Sequence, residues 1–413
     1  MKTLLWQSVL IITISLLLAV SIELFLRLVY TARADSFPIR FHSRYIHILN
    51  PNTTYEFQRS TVNGGQTIKT PINQWSFSGG PIDPDSTATR IMVYGDSNVH
   101  AAFSEEHNTF TRQLKSALET TTKNRFQVIN ASVVGYGIDQ VLLRLEDEIP
   151  IWRPDVVIVN IFADNDFGDT VRNRLFYLDE DTGDLKYSGV PFSETAGNFA
   201  ASLYTVRASI RLWQELTVTE DERRPHRPYV PPPPDVELVQ LRQHIVDERL
   251  AYSDLTRSRT GSDHYDLDVA LDPDEPNSRI KIELMEKILA HIIRVVSVQH
   301  KTRLVFAIQP SVKDISTNSA LNYQQLRTLS EHYRRDRLTG LLAEILDRHD
   351  ADYVNLFKAF VTDGQSSYYF LADDNHWNDR GQARAAQIVA RHLLNTSGST
   401  GEEPPEQSVR ARQ

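Results

Sequence analysis

Residues 90–98 read Arg90-Ile91-Met92-Val93-Tyr94-Gly95-Asp96-Ser97-Asn98. An apolar run stops at a glycine, and an acid and a serine follow at once. Ile91–Tyr94 predicts a short buried strand, and the glycine after it predicts a sharp turn at the strand's carboxyl end. Four later runs have the same character: Phe126–Asn130, Val156–Ile161, Leu304–Ile308 and Asp352–Leu356. Helical periodicity lies between or after them. Phe110, Leu114, Ala117 and Leu118 share one helix face, Ile282 to Val298 forms another helix, and Asp379 to Leu394 closes the set with Ala386, Val389 and Leu393. Strands alternating with helices predict an α/β fold. Its five strands pair in parallel through right-handed crossovers, with helices on both faces of the sheet. Val156-Val157-Ile158-Val159 fits a strand buried on both sides.

Outward from this core the chain changes material. Leu4 to Ile22 carries no charge and is dominated by Leu, Ile and Val. About twenty such residues span a hydrocarbon layer of roughly 30 Å. Residues 1–34 therefore predict an N-terminal membrane anchor. A cleaved signal would use Ala32-Arg33-Ala34, which lies well beyond the apolar run, and a buried core helix would not be apolar all round. Lys2 precedes the span while Arg27, Arg33, Arg40 and Arg44 follow it, so the charge bias does not decide orientation. The expectation is that of most signal anchors: a single pass with the bulk of the chain outside the cytoplasm, periplasmic or at the cell surface.

Residues 35–89 are rich in Asn, Thr, Ser, Pro and Gly and predict an irregular arm. Tyr55–Phe57 and Gln66–Ile68 flank Asn63-Gly64-Gly65 there as a hairpin signal. Residues 90–396 form the main domain. An insert at 167–278 interrupts it, far longer than an ordinary loop. Within the insert, Leu175–Leu178 and Leu185–Tyr187 predict a hairpin, Ala201–Leu216 a helix, and Pro231–Pro234 a polyproline spacer. Residues 397–413 predict a disordered tail.

Composition removes whole classes of function. The 413 residues hold 44 Lys+Arg against 53 Asp+Glu, a formal charge of −9, which argues against nucleic acid as a partner. There is no cysteine, so thiolate catalysis, cysteine-ligated zinc and disulfides are excluded. No Gly-x-Gly-x-x-Gly or Walker A loop is present, so no nucleotide cofactor is expected.

Four short segments carry residues fit for chemistry. Ser97 ends the first strand's turn, and ligands of open α/β sheets collect at that edge. The second strand leads into Asn130-Ala131-Ser132-Val133-Val134-Gly135, where a glycine lets the backbone approach a ligand. The third ends in Ala163-Asp164-Asn165-Asp166, whose asparagine can offer an amide N–H to an anionic oxygen. Asp373-Asp374-Asn375-His376-Trp377-Asn378 precedes the last helix. Each alone also reads as a turn, a cap or a solvated helix start. Together they fall on one edge of the sheet and supply a hydroxyl nucleophile, a base, a carboxylate and separated hydrogen-bond donors. That is the inventory for acyl transfer. A metal at Asp373, Asp374 and His376 is the competing use, but no His-Glu-x-x-His and no second nearby histidine supports it.

In these blocks the chain resembles the SGNH (GDSL-type) hydrolases. Gly95-Asp96-Ser97 matches the first block, Asn-Ala-Ser-x-x-Gly ending at Gly135 the second, Asn165-Asp166 the third and Asp373-x-x-His376 the last. The anchored arrangement resembles a membrane-bound bacterial type of the family. Two departures stand out: Ala163 occupies the glycine place of the third block, and Asn98 rather than leucine follows the nucleophile. The resemblance implies a three-layer α/β/α fold with a flavodoxin-like sheet. It also implies a Ser97–His376–Asp373 triad, and an oxyanion hole from Ser97, Gly135 and Asn165, with no cofactor. The substrate would be an acyl ester, short-chain or on carbohydrate. A related set of polysaccharide-acetylating proteins uses the tighter Asp-x-His spacing, which would select Asp374 and an O-acyltransferase acting on a glycan. A non-catalytic anchored binding module is the remaining reading.

Overall fold

The computed structural model describes residues 2–31, 38–190, 232–255, 257, 259, 264–299, 301–317, 319–362, 369–372 and 374–397. The expected helix at 201–216 and the tail from 398 lie outside these residues.

The sheet has five parallel strands: β5 (Thr89–Tyr94), β6 (Phe126–Asn130), β7 (Val156–Ala163), β10 (Arg303–Pro310) and β11 (Tyr353–Asn355). Their spatial order is β11-β10-β7-β5-β6, which is the flavodoxin-like order, with the chain reversing direction across the sheet at β5. All five coincide with the runs read from sequence, within the usual drift of one or two residues at the ends.

Period-two alternation sorts the strand residues into two cores. Met92, Tyr94, Val157, Val159, Phe306 and Ile308 face one layer. There they meet the helix α4 (Ile138–Trp152) and the helices Pro276–Ser297 and Arg337–Arg348. Ile91, Val93, Ile158, Val305 and Ala307 face the other, closed by α3 (Phe110–Thr122) and the helix Asp379–Ser397. Both faces are thus dry, as a parallel sheet requires.

The arm is more ordered than its composition predicts. It forms two antiparallel hairpins: β1 (Ile39–His42) with β2 (Ile46–Leu49), and β3 (Thr53–Gln58) with β4 (Thr67–Ile72). Tyr45, Ile46, Ile48 and Leu49 enter the main core, so burial against the sheet layer compensates for weak local propensity. The second hairpin turns through a short 3-10 segment at Thr61–Asn63, with Gly64 left-handed at φ 98°.

The first part of the insert is structural. The helix α5 (Asp166–Asn173) starts directly after the third block and is buried along its length. The hairpin β8 (Phe176–Leu178) and β9 (Leu185–Tyr187) follows, as its Asp181-Thr182-Gly183 turn predicts. Pro231 lies outside the described residues. Pro233 is extended at φ −53°, ψ 148°, and Pro234 opens a helix running to Ser253 in the first-turn position where proline costs no hydrogen bond.

At the amino terminus, α1 (Lys2–Thr31) is one continuous helix. Its segment Trp6–Leu26 is long and apolar enough to cross a membrane, and none of it is buried against the rest of the chain.

Candidate active site

Gly95 lies where the sheet leaves little room. A Cβ there would stand 3.0 Å from Asn160 Cβ and 3.4 Å from Val99 Cγ2, so the turn after β5 passes β7 closely and favours a glycine. Asp96 then caps the single-turn helix α2 (Ser97–His100), its Oδ1 accepting from the Asn98 N–H at 2.9 Å. Ser97 is left at the head of this turn, 7% exposed. Asn98 ties it to the histidine segment. Its Oδ1 accepts from the Trp377 N–H at 3.0 Å, and its carbonyl accepts from Gln382 Nε2 at 2.7 Å.

These ties bring together residues 279 apart in sequence. His376 Nε2 lies 2.7 Å from Ser97 Oγ, and His376 Nδ1 lies 2.5 Å from Asp374 Oδ1. With the proton on Nδ1 directed at the carboxylate, Nε2 is free to accept from the serine hydroxyl. This tautomer follows from the hydrogen-bond pattern. Phe103 packs against the imidazole in a tilted arrangement, with 4.3 Å between centroids and 35° between the ring planes. Burial pushes the Asp374 carboxyl up, but His376 and the backbone N–H groups of His376 and Asn375 outweigh it and hold the group below the usual carboxylate range.

Among the described residues, the carboxylate that meets the histidine is not the one the sequence pattern selects. Asp373 is the expected partner of His376 and lies outside the described residues; the carboxylate on Nδ1 is Asp374. The reason is an Asx-type turn. Asp374 Oδ1 accepts from the His376 backbone N–H at 3.2 Å as well as from Nδ1, so a spacing of two folds the carboxylate back onto the ring.

The other two expected residues follow the strands next to β5. Gly135 follows β6 and Asn165 follows β7, the strands on either side of β5. Gly135 has φ 73°, which excludes most side chains, and a Cβ there would meet nothing within 4 Å. Asn165 occupies the N-cap position of α5 without a side-chain capping bond and is 3% exposed. Its Nδ2 donates to Asp169 Oδ2 at 3.0 Å, while its Oδ1 has no hydrogen-bond partner among the described residues. Ala163, in the family's glycine place, ends β7 in register with Pro310 and is fully buried, so this strand position accommodates a methyl group.

Sequence reasoning missed Phe103, Asn98 and Asp169. Asp169 stands four residues after Asn165, a helical spacing legible only once α5 is known. Phe103 carries no local signal at all. The arm also reaches the site: Phe57 packs on Phe103 at 4.2 Å, and Asn63 Oδ1 accepts from the Ala372 N–H at 2.9 Å.

A parallel five-stranded sheet thus brings serine and histidine together at its carboxyl edge. Residues 273–413, about a third of the chain, match the family model described as "SGNH hydrolase-like domain, acetyltransferase AlgX". This stretch holds the histidine segment and the last two strands. No curated protein matches the chain. Among solved structures, it is similar to LAE5, an alpha/beta hydrolase enzyme from the metagenome of Lake Arreo. That pair is 12% identical, with 77% of this chain and 99% of the other covered and a TM-score of 0.37. It is also similar to Axe2, an acetylxylan esterase from Geobacillus stearothermophilus, at 11% identity, 77% and 97% coverage and a TM-score of 0.36. The acetyl xylan esterase AlAXEase is 14% identical, with 74% and 98% covered and a TM-score of 0.35.

Proposed function

We propose that this protein is a serine enzyme acting on acyl esters through Ser97, His376 and Asp374. The single observation that carries the reading is the unbroken chain from Ser97 Oγ to His376 Nε2 at 2.7 Å and from Nδ1 to Asp374 at 2.5 Å. A serine hydroxyl is barely ionised at neutral pH, so it needs this base to attack. Ser97 Oγ adds to the ester carbonyl as its proton passes to His376 Nε2, and Asp374 stabilises the imidazolium. The oxyanion is held by the Ser97 and Gly135 N–H groups and by Asn165 Nδ2. Collapse breaks the ester C–O bond, and the alcohol leaves with the proton from His376. The acyl group stays on Ser97 until a second hydroxyl, deprotonated by His376, takes it.

That second hydroxyl is water in an esterase and a sugar hydroxyl in an O-acetyltransferase. The transferase reading is favoured by two observations: the two-residue spacing from Asp374 to His376, and the match of residues 273–413 to a family described by an acetyltransferase. In either case residues 1–34 anchor the chain and the domain at 90–396 works outside the cytoplasm; the carbohydrate is the acylated substrate of an esterase or the acceptor of a transferase.

The test uses the detergent-solubilised full chain and p-nitrophenyl acetate, with and without soluble oligosaccharide. Nitrophenol release that Ser97→Ala abolishes, with melting temperature unchanged, supports the serine chemistry. Acetylated oligosaccharide formed faster than acetate identifies a transferase. Equal turnover by Ser97→Ala would overturn the assignment.

A further inference from the structure

Asn165 heads a buried ionic chain that no requirement of helix capping explains. Asp169 and Arg172, on the same helix α5, are 0% and 2% exposed. Asp169 uses one carboxylate oxygen for Asn165 Nδ2 and the other for the Arg172 guanidinium, with Nε at 3.1 Å. Arg172 Nη2 also donates to the Asn165 carbonyl at 3.1 Å, so the pair grips both the side chain and the backbone of one residue. Arg172 continues to Glu248, Glu248 to Lys281 at 2.8 Å, and Lys281 to Asp266 at 3.0 Å. The Asp266 N–H donates to the Asp164 carbonyl at 2.6 Å, returning the chain to the residue before Asn165.

Charges withdrawn from water in this number are costly unless each is paired. Burial pushes the Glu248 carboxyl up, yet Lys281, Arg172 and His264 together hold it well below the usual range. The chemistry at Asn165 indicates what the arrangement accomplishes. An ionised carboxylate only accepts hydrogen bonds, so it forces the amide to turn its NH2 toward Asp169. One N–H is then spent on Asp169 and the other is left over. In the opposite orientation Oδ1 would face the carboxylate and be repelled by it. Nothing else among the described residues selects this orientation, because Oδ1 has no partner.

We propose that Asp169, held by Arg172, is a positioning residue: it fixes the Asn165 amide with an N–H toward the oxyanion and joins that donor, through Arg172 and Glu248, to the helix Pro234–Ser253 of the 167–278 insert. The proposal rests on the reading of Asn165 as an oxyanion donor. It implies that the insert supports the reaction through this buried chain, besides any contact it makes with substrate.

The test is a double-mutant cycle on the full-length enzyme with p-nitrophenyl acetate. Asp169→Asn can present either a donor or an acceptor to Asn165, so it loses the orientation. It is expected to lower kcat about 10- to 100-fold with KM unchanged. Added to Asn165→Ala, it should lower kcat less than about twofold further, because the donor it orients is already gone. Should Asp169→Asn fail to fold, Asp169→Ser, smaller and equally neutral, is measured in its place with the same expectation. Unchanged kcat in a folded Asp169 variant, a loss carried by KM, or losses that multiply in the double variant would overturn the proposal while leaving Asn165 as a donor. Full activity in Asn165→Ala would remove the oxyanion reading itself, and this inference with it.

Discussion

Replacing Asp374 by asparagine isolates what the carboxylate's charge contributes. The substitution is nearly isosteric, and the amide oxygen can still accept from both the His376 backbone N–H and Nδ1, which lie 3.2 and 2.5 Å from Oδ1. The resting tautomer therefore survives in the oriented variant, and the loss falls on the imidazolium formed as Ser97 attacks. Opposite charges about 4 Å apart attract by about 4 kcal/mol at an effective dielectric of 20. The Asp374 side chain is 33% exposed, so solvent screens part of this. A loss of roughly 3–4 kcal/mol remains, which is about 10²–10³ in kcat. A flipped amide would instead aim NH2 at Nδ1 and impose the wrong tautomer, adding to the loss. The assay is acetyl ester turnover at saturating substrate, with folding followed by thermal melts, for Asp374→Asn and Asp373→Asn side by side. Asp373→Asn should stay within a few-fold of the parent. If it proves the more damaging of the two, the assignment of the carboxylate from the Asx turn is wrong.

For Asn165→Ala, kcat should fall by about two to three orders of magnitude with KM little changed; a loss through KM alone would make it a substrate-binding residue. The full chain should sediment with membranes and resist alkaline and high-salt washing, whereas a chain beginning at residue 38 should stay soluble; recovery of the full chain in the soluble fraction would refute the anchor. Burial raises the Asp314 carboxyl to about 7 from 3.8, despite hydrogen bonds from Tyr333 and Tyr265. The folded state thus holds a proton that the unfolded state has lost between those values, so this stabilising contribution is complete below about pH 4 and is lost as pH rises through 7. Asp314→Asn, a mimic of the protonated form, should therefore gain on the parent by ~3 kcal/mol between pH 5 and pH 8 in urea melts, and a constant difference would refute the buried-acid account.

The alternation of strands and helices, the turn at Gly95-Asp96-Ser97 and the hairpin at Asp181-Thr182-Gly183 were all determined locally, because side-chain period and turn chemistry act over a few residues. The serine and the histidine could be named for the same reason, since each ends or begins an element at one edge of the sheet. What local pattern cannot carry is which atom faces which. The choice of Asp374 over Asp373 was decided by a single Asx turn that folds the carboxylate onto the ring, and neighbouring aspartates look alike in a string of residues. Asp169 sits in what reads as the start of a loop, and its bond to Asn165 exists only because α5 is helical there. Phe103 meets His376 only because Asn98, Trp377 and Gln382 draw the serine turn and the histidine segment together. The arm read as irregular because its strands are short and polar, and burial of Tyr45, Ile48 and Leu49 against the main core supplied the stability that its own propensities lack. Long-range burial and the closing of hydrogen bonds between distant segments were decided in three dimensions, where the free energy of each contact depends on everything packed around it.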